Sequence, residues 1–127
     1  MPQTEVLFYR EPSGRAPVVD WLRKLKKKDR QGFAKCAALI RRLAQEGHDL
    51  RRPVADFLQD GIYELRARRG RVNYRLLYFF HGKNVAVLDH ALTKEAEIPP
   101  ADMKRALERK KAFEADSEGH TYEGTVD

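Results

Sequence analysis

The stretch from Ile62 to Phe80 restricts the fold of this chain more than any other part of its sequence. Two β-prone runs, Ile62–Arg69 and Val72–Phe80, flank Arg69-Gly70-Arg71-Val72. Glycine at the first corner favours a two-residue type II′ hairpin turn. With Gly70 and Arg71 at the corners, Arg69 pairs with Val72, and counting back sets the register. On one face Ala67 meets Tyr74, Leu65 meets Leu76 and Tyr63 meets Tyr78. On the other, Arg68 meets Asn73, Arg66 meets Arg75 and Glu64 meets Leu77. The first set is a core face of aromatic and aliphatic pairs. A one-residue slip would mix arginines into it, so the pattern defends its own register.

The second face carries the chemistry. Arg66 and Arg75 oppose one another with Arg68 beside them, and like charges directly opposite are unfavourable in a sheet. An anion held between them would relieve the repulsion, and guanidinium forks suit phosphate without losing their charge. The alternative is that the arginines splay into solvent, or pair with Glu64 and the acidic end of the chain. Both arginines are expected to be exposed, so that removing either leaves folding intact.

The flanking segments place this hairpin in a domain. Glu5–Tyr9 is a short β-prone run, followed by a Pro12-Ser13-Gly14 turn. A helix is expected from Pro17 to Lys27, with Val18, Trp21, Leu22 and Leu25 on one face. A second is expected from an Asp29 N-cap to Glu46, with Gly47 as C-cap. Val54–Leu58 reads as a short strand or an irregular approach to the sheet. Val85–Leu92 reads as a further strand, and Pro99-Pro100 opens a last helix, Ala101–Ala115. The order β–α–α–β–β–β–α implies an α+β fold. Its expected form is an antiparallel meander with an N-terminal helical hairpin and a C-terminal helix, the helices on one face, in two layers. Residues 1–115 are expected to form one domain and residues 116–127 an acidic, disordered tail.

Charge narrows the partners. The 127 residues carry a formal net charge of +6, with 25 Lys and Arg against 19 Asp and Glu. Five of the acids (Glu114, Asp116, Glu118, Glu123, Asp127) fall in residues 114–127, which hold no Lys or Arg, so the body carries +11. Such a bias favours polyanionic partners. Cys36 is the one cysteine; it cannot form an internal disulfide and suits a reducing compartment. The opening residues lack a signal-peptide pattern and no run is long enough to span a membrane, so a cytoplasmic protein with no membrane partner is expected.

Few other residues have catalytic or metal-binding patterns. His90, near a strand end, could transfer a proton; alternatively it is satisfied by Asp89 or exposed. No histidine pair has metal-ligand spacing and Cys36 has no companion, so no metal site is expected. There is no phosphate-binding glycine loop or nucleophile elbow. Phe79, on the arginine side, could stack on a base or pack under a helix.

Gly61-Ile62-Tyr63-Glu64-Leu65-Arg66-Ala67-Arg68, followed by Tyr74-Arg75-Leu76-Leu77-Tyr78-Phe79, resembles the RelE/HigB superfamily of toxins from type II toxin–antitoxin pairs, in its phage-related HigB-like branch. The Pro17-Val18-x-x-Trp21-Leu22 helix and the Thr93-Lys94 to Pro99 segment also match, and the resemblance spans Val6 to Phe113. It implies a small mRNA endoribonuclease, an mRNA interferase acting on the translating ribosome without metal or cofactor. A cognate antitoxin, a helix-turn-helix HigA-like protein, would neutralise it. In such an enzyme the 2′-OH attacks the adjacent phosphate, leaving a cyclic phosphate and a 5′-OH. The resemblance makes Arg66 and Arg75 the central catalytic residues, gives Lys94 to the leaving oxygen and leaves His90 as the proton-transfer candidate. Arg68, Arg69, Arg71, Asn73 and Thr93 would hold RNA. The chain departs from the pattern at Thr93 and Glu97, where relatives carry lysines. Those departures keep open a non-catalytic domain on the same fold that binds RNA, the ribosome or the antitoxin.

Overall fold

The structure, a computed structural model, describes residues 3–93, 97–124 and 126. The elements run β1 (Glu5–Phe8), α1 (Pro17–Lys28), α2 (Arg30–Glu46), β2 (Ala55–Gln59), β3 (Ile62–Arg69), β4 (Val72–His81), β5 (Val85–Thr93) and α3 (Pro100–Ala115). The fold is α+β. A single residue, Asp29, separates the first two helices. Its backbone N–H closes α1 on Leu25, and its side chain caps α2 by accepting from Gly32 N at 3.1 Å. The same carboxylate accepts the Tyr74 hydroxyl at 2.6 Å, which fastens the helical hairpin to the sheet. Gly32 is needed there, because a Cβ would come within 2.5 Å of both the Asp29 carboxylate and the Tyr74 ring.

The β3–β4 register is the expected one at every pair, from Arg69↔Val72 to Tyr63↔Tyr78. Gly70 has φ +63°, while Arg71 is not among the residues of positive φ. That combination is the type II′ corner rather than type I′. Val18, Leu22, Leu25, Cys36, Leu39 and Leu43 of α1 and α2 pack on Leu65, Ala67, Tyr74, Leu76 and Tyr78, the face chosen by the alternation.

Three features differ from the sequence expectation. The sheet is mixed, in the order β1-β5-β4-β3-β2, because β1 joins it parallel to β5. The meander β2–β5 steps back across the sheet and ends beside β1, so the two terminal strands share a direction. The helices do not share one face. Helix α3 covers the opposite side, where Met103, Ala106 and Phe113 cluster with Ile62, Leu77, Phe79 and Val87, so the sheet lies between two helical layers. Phe79 is fully buried, its ring 5.6 Å from that of Phe113, and is closed to any base. Lastly, the tail expected to be disordered is built onto β1. Tyr9 bridges Thr121, Tyr122 N–H donates to Phe8 O at 2.8 Å, and His120 stacks on Tyr9 at 5.1 Å. It covers the outer edge of β1 and so blunts an edge strand.

Leu65 and Leu76 are buried opposite one another at the centre of the α1/α2 side. Truncating either to alanine should cost about 2–5 kcal/mol, measured by chemical denaturation. A loss below 1 kcal/mol would show that the core does not rest on this pair.

Candidate functional site

Arg66 and Arg75 do oppose one another, and Glu64 joins them. Glu64 lies two residues from Arg66 on β3 and therefore on the same face. Its Oε2 accepts from Arg66 Nη2 at 2.8 Å, and its Oε1 is 3.6 Å from Arg75 Nε. The first contact is a charge-assisted hydrogen bond; the second is too long for one, and both Oε1 and Nε lack a hydrogen-bond partner among the described residues. The three side chains differ sharply in exposure: 42% for Arg66, 8% for Arg75 and 2% for Glu64. Arg66 is a half-open guanidinium, whereas Arg75 is buried and was wrongly expected at the surface. Arg66 and Glu64 line a cleft of about 410 Å³ with Arg52 to Asp56, beside β2.

The other residues expected to hold RNA spread apart. Arg68 is exposed on the arginine face, its Nε donating to Gly70 O at 3.0 Å, and Lys35 donates to its carbonyl. Arg71 is exposed at the turn and Asn73 is half-buried opposite Arg68. Arg69 falls on the helical-hairpin side, where its Nε lies 3.0 Å from Asp29 Oδ1 without hydrogen-bond geometry. Thr93 also leaves the arginine face. A bulge between Leu77 and Tyr78 of β4 inserts Asp89 as an extra residue in β5, so Thr93 pairs with Tyr74 while Leu92 sits opposite Arg75. Lys94 lies outside the described residues.

The same bulge brings His90 opposite Leu77, on the arginine side but beneath α3. Its Nε2 lies 2.7 Å from Asp102 Oδ1 and its Nδ1 3.1 Å from Arg109 Nη1. A guanidinium can only donate, so Nδ1 accepts and Nε2 carries the proton that Asp102 receives. Burial lowers the His90 pKa; Asp102 opposes that shift and Arg109 adds to it. With α3 in place, both ring nitrogens are committed. The expected partner, Asp89, is not the one used. The Asp89 carboxyl is fully buried with no hydrogen-bond partner for either oxygen among the described residues. Burial pushes its pKa well up, and Arg109, which hydrogen-bonds the Asp89 carbonyl rather than the carboxyl, draws it partly back.

The sequence reading gave Glu64 only an alternative role and did not find Asp102 or Arg109. The Glu64-x-Arg66 spacing was a usable signal for the first; nothing local marks the other two, because α3 supplies both. Among the described residues there is no cluster of His, Cys, Asp and Glu able to hold a metal ion, and no helix long and apolar enough to cross a membrane.

A cleft at the sheet edge, lined by Arg52 and Arg66 beside Asp56 and Glu64, on a sheet covered by helices on both faces, is what this fold presents. The chain belongs to the family described as "Phage derived protein Gp49-like (DUF891)", whose sequence profile matches residues 20–111. No curated protein matches it.

The two arginines should separate in stability. Arg75→Ala strands the buried Glu64 carboxylate beside a cavity and should cost about 3–5 kcal/mol, whereas Arg66→Ala removes the hydrogen bond on Glu64 Oε2 but opens that oxygen to water and should cost about 1.5–3 kcal/mol. Equal losses in urea denaturation would contradict this geometry. Asp89 should give a pH signature. Its raised pKa means that the folded state holds a proton which the unfolded chain releases, so its contribution is present at low pH and is lost as pH rises. Asp89→Asn should therefore melt above wild type at pH 8, with the gap closing toward pH 5; a gap independent of pH would refute the buried acid.

Proposed function

We propose that this protein is the toxin of a type II toxin–antitoxin pair, a metal-independent endoribonuclease of RelE/HigB type that cuts mRNA on the ribosome. The observation that carries the reading is the Arg66–Arg75 pair, opposite in register and tied to one buried carboxylate. The motif order, the basic body and membership of a phage-derived family support it.

In this reading the scissile phosphate sits against Arg66, the open member of the pair. The 2′-OH attacks in line, and the pentacoordinate phosphate gains negative charge on its equatorial oxygens. Arg66 meets that charge directly, and Arg75 adds fixed positive potential from below. Glu64 holds the Arg66 guanidinium before substrate arrives, which is where positioning and electrostatic stabilisation act most strongly. Lys94 assists the departing 5′ oxygen. His90, with both nitrogens engaged, positions α3. The antitoxin is a helix-turn-helix partner of the HigA kind.

Induction of the protein should arrest growth and fragment mRNA, and a purified ribosome assay should yield 5′-OH ends. Arg66→Ala should lower cleavage about 10²-fold or more while the variant remains cooperatively folded. Normal growth together with intact mRNA on programmed ribosomes would sink the reading. A second reading, a binder that does not cut, draws on two observations: Thr93 turns to the far face and Glu97 is exposed where relatives carry lysine. It requires salt-dependent RNA or ribosome binding with no 5′-OH ends at any protein concentration.

A further inference from the structure

Phe57 and Val72 are the large apolar side chains exposed among the described residues, and Phe57, at 53%, is the more exposed of the two. Single exposed hydrophobic residues are ordinary; the surroundings of this one are not. Phe57 lies on β2, the outer strand, paired with Tyr63, and its ring meets Tyr63 edge-to-face at 5.2 Å. Tyr63 in turn stacks on Tyr78 at 5.5 Å, so a packed aromatic row stands behind the exposed ring. Beside it is a second cleft, of about 460 Å³, whose lining includes His48, Arg51, Arg52 and Phe57. Arg51 and Arg52 are both exposed.

This cleft joins the arginine cleft around the edge of the sheet. Arg52, Ala55 and Asp56 line both. Asp56 is the one carboxylate on that shared rim, and it is already engaged by Arg52 Nε at 3.1 Å. Phe57 pairs with Tyr63, and Arg66 lies three residues further along β3, about 10 Å along the strand and, by the alternation, on the opposite face. A single strand of a few nucleotides wrapped around the β2 edge would connect the two.

We infer that Phe57 is a base-stacking platform for single-stranded RNA, taking a nucleobase a few nucleotides along the strand from the phosphate held at Arg66, with Arg51 and Arg52 on the connecting backbone. The inference rests on the RNA reading of the Arg66 cleft. Aromatic faces backed by a positive track are how proteins hold single strands without base-pair readout. A protein strand added to β2 is disfavoured by the register shift between Phe57 and Gln59, which breaks the edge ladder such a partner would extend.

The test uses the full chain and a short 2′-O-methylated single-stranded RNA, which cannot undergo 2′-OH attack, carrying 2-aminopurine. At low salt, wild type should bind and quench the fluorescent base at one register. Phe57→Ala should bind about tenfold more weakly and lose the quenching, while Phe57→Tyr retains both. On an otherwise identical strand made abasic at that register, Phe57→Ala should bind as wild type does. Melting curves of both Phe57 variants should match wild type, since this ring is half exposed on an edge strand. If Phe57→Ala binds and quenches like wild type while Arg66→Ala binds weakly, the stacking platform is overturned and the Arg66 phosphate site stands. If wild type binds no RNA at low salt, the platform is overturned, and ribosomal cleavage is judged by its own assay.

Discussion

The Glu64 carboxylate, almost out of water, lies between an open arginine and a buried one, and the charged half of the sheet depends on it. Two guanidiniums opposite one another would otherwise repel across a gap set by the strand spacing. Neither can move away, because the hairpin register is locked on the other face by Leu65, Leu76, Tyr63 and Tyr78. The apolar face therefore decides where the charges sit, and Glu64 makes that placement tolerable. The compensation is incomplete. One carboxylate stands against two guanidiniums, and its contact with Arg75 is too long to be a hydrogen bond. The excess positive charge of the trio therefore rests on the buried Arg75, beneath the cleft that Arg66 and Glu64 line.

The same face of the sheet is divided between two uses. Toward Ile62, Leu77 and Phe79 it is apolar and covered by α3; toward Arg66 and Arg75 it is charged and bordered by the cleft. The Asp89 bulge lies at the division. By adding one residue to β5 it turns His90 under α3 and sends Thr93 to the far side. Asp102 and Arg109 then tie α3 to His90 through both ring nitrogens, with the helix supplying both ligands. Protonating His90 would set a second N–H against the Arg109 guanidinium, so this tie favours the neutral ring. Asp89 has the opposite preference, being most comfortable when protonated. The anchorage of α3 thus combines two groups whose charged forms are both disfavoured by burial.

How far the sequence revealed this depends on the range of each signal. The hairpin was legible residue by residue, because a glycine corner and a strict two-residue alternation are local and counting does the rest. The helical hairpin was legible for the same reason: Asp29, Gly47 and the Pro17 start are local caps. The placement of α3 was not legible. Its pattern, Met103, Ala106 and Phe113, says that one side is buried but not against which face of the sheet. Neither was the side to which Thr93 turns, since a bulge at Asp89 leaves no trace in the alternation of Val85–Leu92. Arg75 is an arginine by type and an interior residue by place: the buried Glu64, diagonal to it across the two strands, lies 3.6 Å from its Nε.

The ordering of the C-terminal segment against β1 bears on where a nucleic acid could lie. By composition its acidic residues are candidate partners for the arginines, yet the segment bridges Tyr9 and hydrogen-bonds Phe8, at the edge of the sheet opposite β2. Three strands, β5, β4 and β3, separate that edge from β2, about 19 Å in all at ordinary strand spacing. At that distance, twice a physiological Debye length, the tail charges are largely screened from Arg51, Arg52 and Arg66. The two edges of the sheet therefore differ. One edge is closed by a segment rich in acids, and the other carries exposed arginines around an exposed aromatic ring.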